Sequence, residues 1–342
     1  MIRALRAVPA LVAIALGAAF AVTAVAPSAA ADDAAVTWSV RPANADGPDG
    51  RSWIEQTLDP GEEVVEHLAL NNLSDSAVTF AIKAADGYLT PTGRFNMLPS
   101  DTPSVDAGTW VKGPDMVEVG AGETRIVPFT ITVPENATPG DHAAGIAATV
   151  QSVGPTGDGN QVAIESRVGF PIMTRVTGEL LPSLLIEPVG VEYNISWNPF
   201  QPGDITAVYT IVNNGNVRIQ ARPVVESQGR STEMDPEVQA LELLPGERRE
   251  VTASVPGVWP FFFAPVHVTI DPTVVTPDNE PLAAEAVVHE FGVWALPIPQ
   301  LLVLLGLALL VMALLFGRRR SRLRVEAMLA EAREAGRQEA QL

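Results

Sequence analysis

The sequence predicts an all-β chain that ends in a single membrane-crossing helix, and three observations carry that reading. Between residues 36 and 290 apolar residues alternate with period two, and helical periodicity is nearly absent. A turn-and-strand frame, PGEEVVEHLALNN at 60–72, returns as PGDITAVYTIVNN at 202–214. Finally, the 27 residues from 291 to 317 carry no charge, and Arg318, Arg319, Arg320, Arg322 and Arg324 follow them closely. Short alternating strands bounded by Pro, Gly, Asn and Asp imply β-sandwiches, and a frame present twice implies two of them. The expected architecture is two tandem immunoglobulin-like sandwiches outside, one C-terminal transmembrane α-helix and a short helical cytoplasmic tail.

The elements follow in chain order. Arg3 and Arg6 precede an apolar run to Val25, and Ala29-Ala30-Ala31 then meets Asp32-Asp33. A basic start, a short apolar core and a small-residue site predict a signal peptide over 1–31. The first sandwich is expected over 32–178. In RIVPFTITV, residues 125–133, Val127, Phe129, Ile131 and Val133 share one face of a strand. In the frame, Pro sets φ, Gly accepts positive φ, and eight residues make one strand of about 26 Å before Asn-Asn ends it. Ala121-Gly122-Glu123 and Pro245-Gly246-Glu247 open a second strand in each copy. The first module holds a longer Pro-, Gly- and Ser-rich stretch at 87–110, the kind of loop on which binding residues sit. The second sandwich is expected over 179–290, the span over 291–317 and the basic tail over 318–342. That tail reads as a stop-transfer segment facing the cytoplasm and phospholipid headgroups. Its RVEAMLAEAREAGRQEA run is helical in propensity.

Charge and composition narrow the chemistry. Residues 32–290 hold 36 acidic against 13 basic side chains, a net of −23, which excludes nucleic acid as a partner. Absence of cysteine removes disulfides and thiol nucleophiles, so ordinary apolar cores must hold the exported part. His67, His142, His267 and His289 have no metal-ligand spacing, and no G-x-S-x-G, S-x-x-K or phosphate loop occurs. Asn44, Asp46 and Asp49 in NADGPDG fit a plain turn better than a calcium loop. Neither a catalytic residue, a metal site nor a cofactor is expected. Sugar rings stack on aromatic faces, which makes Trp53, Tyr88 and Trp110, with Arg94 and Lys112, the candidate glycan-binding residues. Core packing is the competing role, for Trp110 above all. Phe261, Phe262 and Phe263 cannot all face inward on a strand, so at least one is expected at the surface or on a partner.

The run ETRIVPFTITVPENATPGDHAAGIAATV at 123–150, the early SVRPAN, the PGEEVVEHLALNNLSDSAVTF frame and the Trp110 strand resemble the WxL-interacting proteins of Gram-positive bacteria. Their N-terminal peptidoglycan-binding domain is matched best, over 36 to about 178. The resemblance implies an exported sandwich scaffold, anchored by one C-terminal helix, that holds wall polymer and WxL-type surface proteins. Trp294-Ala295-Leu296 also spells W-x-L, but at the membrane edge it reads as an interfacial anchor. The expected function is therefore a non-enzymatic membrane-anchored surface protein that binds peptidoglycan or another wall glycan. The alternatives are an ectodomain that recruits a membrane or signalling partner, with an active tail, and a wall-polymer glycosidase.

Overall fold

The computed structural model describes residues 36–155, 161–233, 241–276, 282 and 284–339. The signal peptide expected over 1–31 lies outside them. The described chain is mostly β-sheet, with one long apolar α-helix at its C-terminal end. The first eleven strands are β1 (Trp38–Asn44), β2 (Gly47–Pro48), β3 (Ile54–Leu58), β4 (Glu63–Asn72), β5 (Val78–Leu89), β6 (Phe95–Met97), β7 (Val111–Lys112), β8 (Met116–Val119), β9 (Thr124–Thr132), β10 (Gly140–Pro155) and β11 (Gln161–Val176). They form sheets of order β2-β1-β4-β9-β7 and β3-β11-β10-β5-β6, with β8 on the same edge of β5 as β6. One core lies between these sheets. Val127, Phe129, Ile131 and Val133 are its contribution from β9 and the residue just beyond, each no more than 3% exposed, and Phe80, Ile146 and Ile172 face them from the second sheet.

The order returns in the second half. Here the strands are β12 (Leu184–Asn194), β13 (Gly203–Asn213), β14 (Ile219–Ser227), β15 (Arg230–Glu233), β16 (Leu241–Leu243), β17 (Arg248–Val258), β18 (Phe262–Val274) and β19 (Val287–Ala295). β12-β13-β17 faces β15-β14-β18-β19, and β16 pairs with β14 as β8 pairs with β5. A second core, with Tyr209, Ile211, Ile219, Val266, Val268 and Ile270 fully buried, fills the space between them.

The repeated frame has a physical basis, with one correction. Asp59–Glu62, Gly120–Glu123 and Leu244–Glu247 make the same turn. In each, the Glu amide donates to the carbonyl three residues back, at 3.0 to 3.1 Å. The glycine at the third position has φ between +68° and +84°. The Glu carboxylate then accepts the amide of the first residue, at 2.8 to 3.0 Å. That geometry needs Gly third and an acid long enough to reach back. Gln201–Asp204 departs from it. Gly203 already lies in β13, and a Cβ there would stand 2.2 Å from the Asn194 carbonyl oxygen. The shorter Asp204 carboxylate accepts from the Gly257 amide instead.

The two equivalent asparagines are Asn72 and Asn213, one position out of the sequence frame. Both are fully buried. Asn72 Nδ2 donates to the carbonyls of Ser76, Val119 and Gly120, and Asn213 Nδ2 to those of Val217 and Leu243. Each side-chain oxygen accepts the amide two residues on, from Ser74 and Gly215. Each asparagine thus closes its strand end with side-chain bonds in place of backbone ones.

At the C-terminal end the expected span begins too early. Residues 291–295 belong to β19, paired with β18, because Val293 and Ala295 complete the second core. Helix α1 runs from Ile298 to Glu339, with Pro299 in its first turn, where a missing amide costs nothing. Its residues from Ile298 are long and apolar enough to cross a membrane. The five arginines of the expected tail continue the same helix, all exposed.

Candidate functional site

The aromatic and basic residues singled out for glycan binding do not share one face. Trp53 precedes β3, is 49% exposed, and donates from Nε1 to Glu55 Oε2 at 3.3 Å. Tyr88 is half-buried near the end of β5 and accepts a bond from Asn96 Nδ2 at 3.1 Å. Arg94 is exposed on the hairpin between β5 and β6, where its amide donates to Thr90 Oγ1. Since β11 and β10 separate β3 from β5, Trp53 and Tyr88 are offset by three strand spacings, about 14 Å, and are further staggered along the strands. Lys112 is exposed on β7, in the facing sheet. Trp110 corrects its assignment: it is 6% exposed within the first core, with no face left for a sugar. Asn44 and Asp49 make turn bonds, Asn44 Oδ1 to the amides of Asp46 and Gly47 and Asp49 to Arg51. Among the described residues no group of three metal-ligating side chains converges.

What the fold does gather is a polar cleft of about 340 Å³ where the two halves meet. It is lined by Tyr88, Asp106 and His142 from the first and by Asn216, Leu244 and Glu247 from the second. The 87–110 stretch contributes Gly87, Tyr88 and Asp106 to its lining. Asp86, 9% exposed, accepts the amides of Val105 (2.7 Å), Asp106 (3.0 Å) and Gly108 (2.7 Å), so that one carboxylate shapes the segment leading into the 3₁₀ turn Ala107–Thr109. No signal in the sequence marks Asp86, because Asp-Gly at 86–87 reads as an ordinary turn. The bends it creates aim the Asp106 carboxylate at His142 Nδ1, 2.8 Å away. His142 Nε2 faces the Thr138 carbonyl at 2.9 Å, and Trp110 lies beneath the ring, centroids 4.7 Å apart and tilted 48°.

With acceptors at both nitrogens, the imidazolium is the form that satisfies the site. Burial alone would lower the His142 pKa, but the Asp106 and Thr138 bonds outweigh it and hold it above the usual histidine value. A raised folded pKa gives stability that is complete below about pH 6.5 and fades as pH rises through the folded value. Wild type should therefore exceed His142→Gln in stability by roughly 1 kcal/mol at pH 6, the gap narrowing towards pH 9. Paired urea melts across that range check it, and a gap independent of pH sinks the imidazolium assignment.

The halves are locked beside the cleft. Arg175 binds Asp141 through two bonds, Nε at 2.6 Å and Nη2 at 2.7 Å, and Nη2 also donates to the Val275 carbonyl at 2.7 Å. Asp141 accepts the Arg218 amide at 2.6 Å, and the Arg218 guanidinium pairs with Glu55 and, at 3.5 Å, with Glu242. Asn216 Nδ2 reaches the Pro139 carbonyl, the Leu89 amide donates to Glu247 Oε1 at 2.6 Å, and Arg249 donates to the Pro91 carbonyl at 2.7 Å. Ala143, Met173 and Leu244 add an apolar contact. The two halves therefore present the cleft as a fixed shape.

No protein-family model matches the chain, and no curated protein matches it by sequence. Among solved structures it is similar to the class 5 fimbriae chaperone CfaA, at 13% identity over 74% of this chain and 98% of that one, with a TM-score of 0.36. It is also similar to the Pseudomonas aeruginosa CupB2 chaperone (12%, 72% and 99%, 0.28). A third likeness is to a chain from the complex of Salmonella enterica SafA pilin with the SafB chaperone (10%, 75% and 99%, 0.34).

Proposed function

We propose that the chain is a non-enzymatic, single-pass surface protein whose two immunoglobulin-like sandwiches hold a wall glycan, as its resemblance to the WxL-interacting proteins implies. In this reading the first sandwich spans 32–178. The second starts at 179 and reaches Ala295, with the C-terminus in the cytoplasm. The observation that carries the proposal is the rigid polar cleft between the halves. It offers one aromatic face, Tyr88, beside the carboxylates of Asp106 and Glu247, a lining suited to a hydroxyl-rich and uncharged ligand. An ectodomain of net charge −23 would hold such a polymer by hydrogen bonds and stacking, not by charge. WxL-type surface proteins are the protein partners this reading implies.

The test is co-sedimentation of the full chain, in nanodiscs, with purified peptidoglycan sacculi at physiological salt. The wild type should pellet with the sacculi, and Tyr88→Ala should bind about five- to tenfold more weakly, the loss expected for one stacking contact. A chain that stays in the supernatant overturns wall binding. The reading then favoured is an ectodomain that recruits a membrane or signalling partner, supported by the unbroken course of α1. At 1.5 Å per residue its 42 residues extend about 63 Å, roughly twice the hydrocarbon core, so its basic half projects well past the membrane.

A further inference from the structure

Three segments of the second half carry no Asp, Glu, Lys or Arg: residues 194–203, 255–266 and 291–300. The fold brings all three to the end from which α1 departs. Tyr193 donates its hydroxyl to the Val258 carbonyl at 3.0 Å and accepts the Gly203 amide at 3.1 Å, which fastens the first segment to the second. Strands β18 and β19 place Phe262 opposite Ala295 and Phe263 opposite Trp294, the last two rings edge-to-face with centroids 6.0 Å apart. The first turn of the helix closes the set, since Gln300 Nε2 donates to the Pro199 carbonyl at 3.1 Å.

What these segments show to solvent is aromatic. Trp197 is 74% exposed, Phe200 82%, Phe261 69% and Trp294 72%, and Trp259, Phe262 and Phe263 are also exposed. All three phenylalanines expected to compete for the core are therefore outside it. The fold also accepts strain here. Among the described residues the two non-glycine positions at positive φ are Gln228, at +52°, and Phe262, at +70°. Gln228 braces Trp259 through both its amide atoms, to the Trp259 carbonyl at 2.8 Å and from its amide at 3.0 Å. A bulky residue at positive φ persists only where its surroundings impose it.

We infer that this end of the second half is seated in the headgroup layer of the outer leaflet, with Trp197, Phe200, Trp259 and Phe261–Phe263 buried in lipid beside the emerging helix. Tryptophan and its aromatic neighbours partition to that layer, and a neutral surface avoids the repulsion the rest of the acidic ectodomain would meet from anionic lipid. Monomeric surfaces rarely leave this many large aromatic side chains together in water. Continuity with α1 selects the lipid interface over a protein as its cover. Seating fixes the direction in which the cleft points, because the halves are joined rigidly.

The inference rests on α1 crossing the membrane, and the experiment separates the two. The full chain is placed in phosphatidylcholine nanodiscs in which a fraction of the lipid carries bromine at shallow acyl carbons, and tryptophan emission is measured. Trp197→Phe and Trp259→Phe should each remove about one third of the quenched emission, as expected if they and Trp294 are the interfacial tryptophans. Should Trp294→Phe alone remove it, the helix is inserted but the patch stands in water, and the inference is overturned. Emission that no bromolipid quenches overturns both the seating and the span.

Discussion

Replacing Arg175 with methionine should uncouple the two halves of the β-sheet region and lower its stability by about 3 kcal/mol. Arg175 is 7% exposed, and its guanidinium ties Asp141 of one half to the Val275 carbonyl of the other. Methionine fills much of the volume but leaves Asp141 buried with the Arg218 amide and no guanidinium. An unpaired buried carboxylate costs several kcal/mol, far more than the loss of a surface pair. Guanidinium denaturation should then resolve two transitions where the wild type shows one, and protease should gain access to residues 177–183 between β11 and β12. A second variant separates charge from packing. Arg175→Met combined with Asp141→Leu replaces the pair by apolar groups and should recover much of the lost stability, since the desolvation cost of both charges also disappears. A single wild-type-like transition in Arg175→Met would show that the Arg249, Glu247 and Asn216 contacts couple the halves unaided.

This coupling was beyond the reach of local pattern, and the reason is visible in β11. Period two puts Ile172, Thr174 and Val176 on the core face and Met173 and Arg175 on the outer one. The inner face is legible because its partners lie in the same core. Arg175 reads as a solvent-facing strand residue, and only the second half, which brings the Val275 carbonyl to it from 100 residues on, buries it. The same logic explains β9, where Val127, Phe129, Ile131 and Val133 obey the alternation, and the turns at 59–62, 120–123 and 244–247, whose chemistry is local. It also explains the failures. Gly203 lies in a strand because β12 runs antiparallel beside it, with Asn194 opposite Asp204, and the buried asparagine occupies a different one of the two Asn positions in each copy. Residues 291–295 have the composition of a span, yet β18 offers them an open edge. Trp110, for which core packing already competes in the sequence, is buried, and the segment held by Asp86 places it against His142.

Asp86→Ala should release that segment. Its carboxylate accepts three backbone amides, its own amide donates to Ser104 Oγ at 2.9 Å, and its carbonyl accepts the Leu98 amide at 2.9 Å. The side-chain bonds vanish in the alanine variant, leaving the buried Gly108 amide and the part-buried amides of Val105 and Asp106 without their acceptor. The cost should be roughly 3 kcal/mol, concentrated locally. Gly108 packs so closely on this backbone that a Cβ there would lie 2.2 Å from the Asp86 amide nitrogen. Asp86→Asn keeps one acceptor oxygen and should lose less. Hydrogen exchange at Val105, Asp106 and Gly108 should accelerate by more than tenfold in the alanine variant, with smaller effects in β9. The consequence reaches the cleft. Asp106 holds His142 only while its amide is anchored to Asp86, so the histidine pKa, raised in the wild type, should fall back towards its ordinary value in Asp86→Ala. Two readouts on one variant therefore distinguish a loop-shaping carboxylate from a merely buried one. Accelerated exchange with an unmoved His142 titration would mean that the pair survives without the scaffold, and protected amides would mean that Asp86 does not hold the segment at all.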